Sequence, residues 1–345
     1  MGYLSKSKSL LALLIGTLVV IFLSQHSAGL PEWRKLTGIE ITDLEEDDHP
    51  DQLPYSDVIF FDTNRGVTIT AGSILRSEDG GRSWSLVATR GYLFYALILW
   101  RGQPYIAGKD DKDSPVILTS NDYGESWNEI EIADVSQPNT GKKFSAFYDI
   151  CFDSDLRGWI VGTHGAIEFS FDNERPELES VFGTEGPLYN VSCSGNGTAW
   201  ANSTTTLFRY RDVWEVVELD IPGSGFTELS KVASNDAGVW VFGSHRSSEN
   251  EFIDNIVLRS LDDGISWANL SSQIDRPVKD IYIRDRTGWL VGSEGSIYYT
   301  RNMGESWQKM PSPTKNTLYS VFFLDQKFGW ISGANMTILH SGNGN

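Results

Sequence analysis

A short apolar run bracketed by glycines returns along this chain at a near-constant interval, and few folds can use such a pattern. It reads GWIVGTHG from Gly158, GWLVGSEG from Gly288 and GWISGANM from Gly329, with weaker copies TAWANSTT from Thr198 and GVWVFGSH from Gly238. The tryptophans of these copies, Trp159, Trp200, Trp240, Trp289 and Trp330, are separated by 41, 40, 49 and 41 residues. A period of about 40–45 residues with a glycine–aromatic signature is that of propeller blades of four strands each. RGVTITAG from Arg65 and QPYIAG from Gln103 occupy the same place in two earlier copies, which makes seven.

Each copy parses alike. An apolar first strand, such as LYSVFF from Leu318 or VKDIYI from Val278, leads through a turn into the GW strand. A short third strand follows, such as SIYYT from Ser296, and then a second motif, S-x-D-x-G-x-S-W. It is spelled SEDGGRSW from Ser77, SNDYGESW from Ser120, SLDDGISW from Ser260 and TRNMGESW from Thr300. The seventh copy ends after TILHSG without that motif, while PEWRKL from Pro31 resembles ESWQKM from Glu305. The sequence therefore predicts an all-β chain: a seven-bladed propeller of four-stranded antiparallel blades, closed by an N-terminal strand in the last blade. Joining both termini in one blade removes exposed sheet edges. The expected boundaries are a leader over 1–30, a closing strand over 31–37, and blades near 54–90, 91–135, 144–183, 186–221, 226–274, 276–312 and 315–345.

The second motif sits where a hairpin joins the third and fourth strands. Aspartate accepts nearby backbone N–H groups in turns, and glycine supplies positive φ without a Cβ clash. Asp79, Gly81 and Trp84, Asp122, Gly124 and Trp127, Asp262, Gly264 and Trp267, and Asn302, Gly304 and Trp307 are accordingly read as structural turns. One acidic residue per turn is far short of the 6–8 oxygens that Ca²⁺ takes. Of the twelve tryptophans, five lie in the GW strand, six (Trp33, Trp84, Trp127, Trp214, Trp267, Trp307) open a last strand, and Trp100 lies outside both sets. Residues placed by the repeat are packing residues before they are ligand contacts. Cys151 and Cys193 fall in neighbouring copies at opposite pleat parity, and whether they pair stays open.

Lys6 and Lys8 precede an unbroken apolar run from Leu10 to Leu23, the length of a signal-peptide core rather than of a spanning helix of ~20 residues. Export is expected, to a periplasm or the outer face of an inner membrane, with residues 10–23 as a tether if the leader is kept. Forty-six acidic against 28 basic residues give a net charge of −18, which argues against nucleic acid as a partner.

Three acidic loops interrupt the repeat: EITDLEEDDHPDQ from Glu40, KDDKDSP from Lys109 and SHRSSENEFIDN from Ser244. The parse sends them to one face and the S-x-D-x-G-x-S-W turns to the other. Either they are solvated, or Asp110, Asp111, Asp113, Glu249, Glu251 and Asp254, with Glu45–Asp48, form an acidic rim for a basic protein partner. A Ca²⁺ site at Asp110, Asp111 and Asp113 is a variant of the rim.

The S-x-D-x-G-x-S-W turns are similar to the Asp-box, or BNR, repeats of sialidases, some endoglucanases and sortilin-type receptors. Combined with the GWxVGxxG strands and an export signal, above all in GWLVGSEGSIYYTRNMGESWQKM from Gly288 to Met310, the chain over 31–345 resembles the photosystem II stability/assembly factor family. That resemblance implies an exported or lumenal, non-enzymatic propeller that holds a membrane subunit during assembly, in the thylakoid lumen of a photosynthetic organism. Cyanobacterial members commonly carry a lipidated cysteine after the signal and a basic patch; this chain has no cysteine near its leader and is acidic. A sialidase would need an Arg cluster, announced by Arg-Ile-Pro, plus Tyr, Glu and Asp. No Arg-Ile-Pro occurs, and Arg175-Pro176 and Arg276-Pro277 read as linkers. The five histidines show no metal-ligand spacing. The expectation is a protein-binding module with no catalytic residues, no cofactor and no metal; the alternatives are a glycoside hydrolase and a polysaccharide-binding or receptor-like module.

Overall fold

In the computed structural model, residues 32–37, 40–42, 57–89, 91–130, 132, 136–137, 141–153, 157–172 and 175–342 are described. They form seven sheets, antiparallel apart from one short parallel strand on the outer edge of the first, and the first strand of each blade lies innermost against the first strands of the blades on either side. These innermost strands are Asp57–Phe60, Tyr92–Trp100, Phe147–Phe152, Asn190–Cys193, Phe226–Asn235, Val278–Arg284 and Leu318–Phe323, in blades 1 to 7. The last touches the first, so the ring closes.

The GW runs are the second strands. Gly66–Ile69, Ala199–Asn202 and Gly329–Gly333 are buried at every residue. A neighbouring blade covers each face of such a strand, so it reads as a continuous apolar run rather than an alternating one. The core is correspondingly divided into seven hydrophobic clusters, one per blade interface. Trp159, Trp200, Trp240 and Trp330 are fully buried in it.

Blade 7 has three strands from the C-terminal part of the chain and takes its outermost one from the N-terminal part. Trp33–Lys35 pairs antiparallel with Thr337–Ser341, with Trp33 opposite Ser341 and Lys35 opposite Leu339. Trp33 packs edge-on against Trp289 of blade 6 at 5.4 Å and Phe323 of its own blade at 5.6 Å. Between blades 7 and 1, Trp330 stacks on Phe60 at 3.8 Å and donates its indole N–H to the Gly80 carbonyl at 3.0 Å.

Three local expectations are corrected. Glu40–Thr42 is a short strand, parallel to Ser83–Thr89 on the outer edge of blade 1, because Ile41 reaches the cluster between blades 7 and 1. Arg175-Pro176 opens the outermost strand of blade 3, Arg175–Gly183, where a missing N–H disturbs no ladder. Asp254 lies within the strand Phe252–Ser260, paired with His245, and not in a loop.

Cys151 and Cys193 form a disulfide between the innermost strands of blades 3 and 4, with Cα atoms 5.6 Å apart. Equivalent blades meet through opposite faces, so opposite pleat parity is what such a bridge requires. No helix among the described residues is long and apolar enough to cross a membrane. The leader, Glu45–Asp48 and the apolar run 10–23 lie outside those residues.

Because Trp33 holds the closing strand in a packed site, Trp33→Ala should cost about 3–5 kcal/mol in urea unfolding. A loss below about 1 kcal/mol would show that closure does not depend on this strand.

Candidate functional site: the central channel

In blades 2, 3, 5, 6 and 7 the second glycine of the GW run faces the channel-lining strand. A Cβ on Gly108, Gly162, Gly243, Gly292 or Gly333 would stand 2.4, 2.2, 2.3, 2.1 or 2.5 Å from a carbonyl oxygen at the start of the first strand in the same blade or of the residue just before it. Opposite each of these glycines the first strand carries a β-bulge, between Phe94 and Ala96, Phe147 and Asp149, Leu229 and Lys231, Val278 and Asp280, and Leu318 and Ser320. The absent side chain makes room for the bulge. A bulge re-aims a side chain, so two consecutive residues can face the channel where a regular strand presents one.

The result is a cavity of about 590 Å³ on the ring axis. One layer holds the residue after each bulge and its equivalents in blades 1 and 4: Asp57, Ala96, Asp149, Asn190, Lys231, Asp280 and Ser320. Just outside it, towards the face where the first strands begin, stand the bulge residues Tyr95, Tyr148, Ser230, Lys279 and Tyr319. Tyr189, which precedes Asn190, joins Tyr148 in a stack at 5.4 Å, and Tyr148 meets Tyr95 edge-on at 5.0 Å. Blades 2, 3 and 4 thus present a continuous tyrosine arc. Tyr95 and Tyr189 are each 39% exposed.

The carboxylates of the inner layer tie blades together. Asp57 accepts the Leu97 N–H at 2.9 Å, Asp149 the Val191 N–H at 3.1 Å and Asp280 the Val321 N–H at 2.9 Å, each from the next innermost strand. Lys231 pairs with Asp280 at 3.1 Å. Burial raises Asp57 to about 7 against the opposing pull of Lys231, with Asp280 and Asp149 adding to the rise. Burial likewise raises Asp149 to about 6, again opposed by Lys231. The Lys231 ammonium is held above its ordinary range: burial disfavours its charge, but Asp280, Asp149 and Asp57 together prevail.

The S-x-D-x-G-x-S-W turns lie on the far face and satisfy themselves. In one, Ser120 Oγ donates to Asp122 Oδ1 at 2.7 Å and accepts the Gly124 N–H at 2.8 Å, while Ser126 donates its N–H and hydroxyl to the same carboxylate. The turns at Asp79 and Asp262 repeat this network, and Asn302 reproduces it with Thr300 and Ser306 except that its amide Nδ2 donates to the Ser306 hydroxyl. Each also touches the preceding blade: a Cβ on Gly264 would meet Trp200 at 2.6 Å, and one on Gly304 would meet Trp240 at 2.6 Å. Trp84 and Trp127 donate their indole N–H groups to Gly81 and Gly124. The serine hydrogen bonds hold Asp122 and Asp262 down at about 2.

The two acidic loops that lie among the described residues are on the channel-mouth face but not together. Asp110, Asp111 and Asp113 belong to blade 2, whereas Glu249, Glu251 and Asp254 belong to blade 5, with blades 3 and 4 between them on the shorter way round. The Asp110 carboxylate accepts the N–H groups of Lys112 and Ser114, and Asp113 pairs with Lys109 at 2.5 Å. Asp254 accepts from His245 at 2.5 Å beside a separate cavity of about 610 Å³ between blade 5 and the segment at Ile221 and Pro222. Among the described residues no three His, Cys, Asp or Glu side chains converge as a metal site would need. The inner layer was missed by the sequence reading, yet a trace of it is there: YDI, KDI and SDV each place an aspartate before the apolar pair of a first strand.

This architecture defines a seven-bladed β-propeller with a charged channel and an aromatic mouth. No protein-family model and no curated protein matches the chain. Among solved structures it is similar to YCF48 bound to a D1 peptide, at 16% identity and a TM-score of 0.65 over 90% of this chain and 97% of that one. YCF48 from Cyanidioschyzon merolae gives 17% identity and 0.62 over 90% and 98%. A catalytically inactive virginiamycin B lyase from Staphylococcus aureus with quinupristin gives 11% and 0.63 over 90% and 99%. At these identities the likeness establishes the fold and nothing further.

The carboxyls of the channel and of the turns have opposite effects on stability. Between pH 4 and 7 the folded chain keeps protons on Asp57 and Asp149 that the unfolded chain has released. Their contribution is therefore fully present below about pH 4 and is lost as pH rises through 6 and 7. Asp122 and Asp262 contribute above about pH 4 and lose that contribution as pH falls towards 2. Unfolding measured from pH 5 to 8 should show a shallower decline in Asp57→Asn than in the native chain; an unchanged slope would place the titration elsewhere.

Proposed function

We propose that this chain is an exported, non-catalytic, protein-binding propeller that assists the assembly or stability of an envelope or membrane protein complex, in the manner of the photosystem II assembly factors. The carrying observation is the tyrosine arc of Tyr95, Tyr148 and Tyr189 on the rim of the channel. Aromatic side chains that stand half-exposed on rigid strands are efficient anchors, because they offer large contact area at little entropic cost. The similar fold of YCF48 with a D1 peptide bound supports a peptide segment as the ligand class. The use of Asp57, Asp149 and Asp280 as ties between blades supports a structural rather than a catalytic duty for these acids. Export is supported by the Cys151–Cys193 disulfide, a bond that persists in oxidising compartments, together with the apolar run at 10–23.

Replacing Tyr95, Tyr148 and Tyr189 together by alanine should abolish recovery of a partner from envelope extract while the melting temperature stays within a few degrees of native. On the opposite face, Ile265→Asp should leave recovery unchanged. Full recovery by the triple variant would move the docking surface off the channel mouth.

A further inference from the structure

The seven positions of the inner channel layer are not equivalent in charge. Lys231 of blade 5 is committed to Asp280 of the adjacent blade 6 at 3.1 Å. On the other side of the ring, Asp57 of blade 1 and Asp149 of blade 3 flank Ala96 of blade 2, whose methyl group leaves a gap in the layer. Tyr95 and Tyr148 stand over that gap on the rim. Asn190, next round the ring, donates its amide N–H to the Tyr189 carbonyl at 2.9 Å, and its buried Oδ1 is an acceptor with no donor. The charged groups lining the whole cavity are Asp57, Asp149 and Asp280 against Lys231 and the exposed rim residue Lys279, while Lys109, close to Tyr95 and Tyr148, is paired with Asp113. With all of them ionised, one negative charge is unmatched.

We infer that the half-channel between blades 1 and 3 receives a single guanidinium or ammonium group, carried on a basic side chain of an extended peptide segment. The inference rests on the reading of the channel mouth as a protein-binding surface and names what enters it. A cation there meets carboxylates on two sides and aromatic rings above. Charge-assisted hydrogen bonds and cation–π contact both strengthen where water is partly excluded. Two strongly basic neighbours could not occupy the same space, so the site takes one. Binding is coupled to protons, because burial leaves Asp57 and Asp149 partly protonated near neutrality and an entering cation favours their ionised forms. Affinity therefore rises with pH from 5 to 8.

The test is calorimetric titration of the protein with acetyl-Gly-Arg-Gly-amide and with the same peptide bearing citrulline, whose neutral urea has nearly the guanidinium's shape. At pH 7.5 the arginine peptide should bind at least tenfold more tightly than the citrulline peptide, and the preference should shrink towards pH 5. Asp57→Asn with Asp149→Asn keeps an acceptor for each backbone N–H and should erase the preference. Ala96→Leu, which fills the gap, should abolish binding of the arginine peptide; if that variant fails to fold, the asparagine pair decides alone. Indistinguishable heats for the two peptides, or a preference that survives the asparagine pair, overturn the inference. So does envelope-partner recovery that is lost with the three tyrosines yet survives the asparagine pair, an outcome that leaves the protein-binding reading standing. An arginine preference without tyrosine-dependent recovery supports the cation site and removes that reading instead.

Discussion

The whole structure depends on one packing requirement: every second strand must be covered on both faces by neighbouring blades. A sheet of four short strands with an apolar run in its second position cannot bury both sides alone, and stacking in an open row would leave two blades half-covered. Closure into a ring covers all seven. The seven interfacial clusters and the fully buried tryptophans of the GW strands are the direct expression of this. The turns on the far face belong to the same requirement, since Gly264 and Gly304 lie flat against Trp200 and Trp240 of the preceding blade. A motif that looks like a repeated binding site is thus a repeated clamp, its polar atoms spent within the turn and its glycine against the next blade's ring system.

Close packing at the second strand also shapes the channel. Where that strand carries glycine opposite it, the first strand can bulge towards it, and the bulge brings a second side chain to the channel wall. Blades 2, 3, 5, 6 and 7 share both features. Blade 4 has Ser203 in the glycine's place, and its first strand pairs with Ala199–Asn202 without a bulge. An invariant structural need therefore supports a variable surface. The glycine cannot change without a clash against a backbone carbonyl, while the two residues opposite it are free to be Tyr and Asp, Lys and Asp, or Ser and Lys.

That division explains what was legible in the amino-acid sequence. The blade count, strand order and closing strand follow from residues that packing holds constant, such as the GW runs and the Trp33 segment. The channel layer was invisible to motif reading because its identity changes from blade to blade: Asp57, Ala96, Asp149, Asn190, Lys231, Asp280, Ser320. What stays constant there is a backbone irregularity, and a bulge leaves no residue type behind except the facing glycine. The acidic loops fared otherwise. Antiparallel topology placed them on one face from sequence alone, but only the order of blades round the ring shows Asp110–Asp113 and Glu249–Asp254 to be well apart. Cys151 and Cys193 turned on geometry as well, since opposite parity favours contact between rotated copies of one sheet and opposes it within a sheet.

The inner layer carries a tension between stability and use. Three carboxylates tie blades 1 to 2, 3 to 4 and 6 to 7 through backbone N–H groups, a structural role that an uncharged asparagine could fill. Asn190 shows that the fold accepts one at this position. Retaining ionisable groups where burial raises Asp57 to about 7 and Asp149 to about 6 disfavours the folded state above pH 7, and a single lysine offsets only part of it. Such an arrangement costs stability that simple packing would not demand. Charges held at that cost, beneath a tyrosine rim and beside a gap left by Ala96, make sense where a cation from outside completes them.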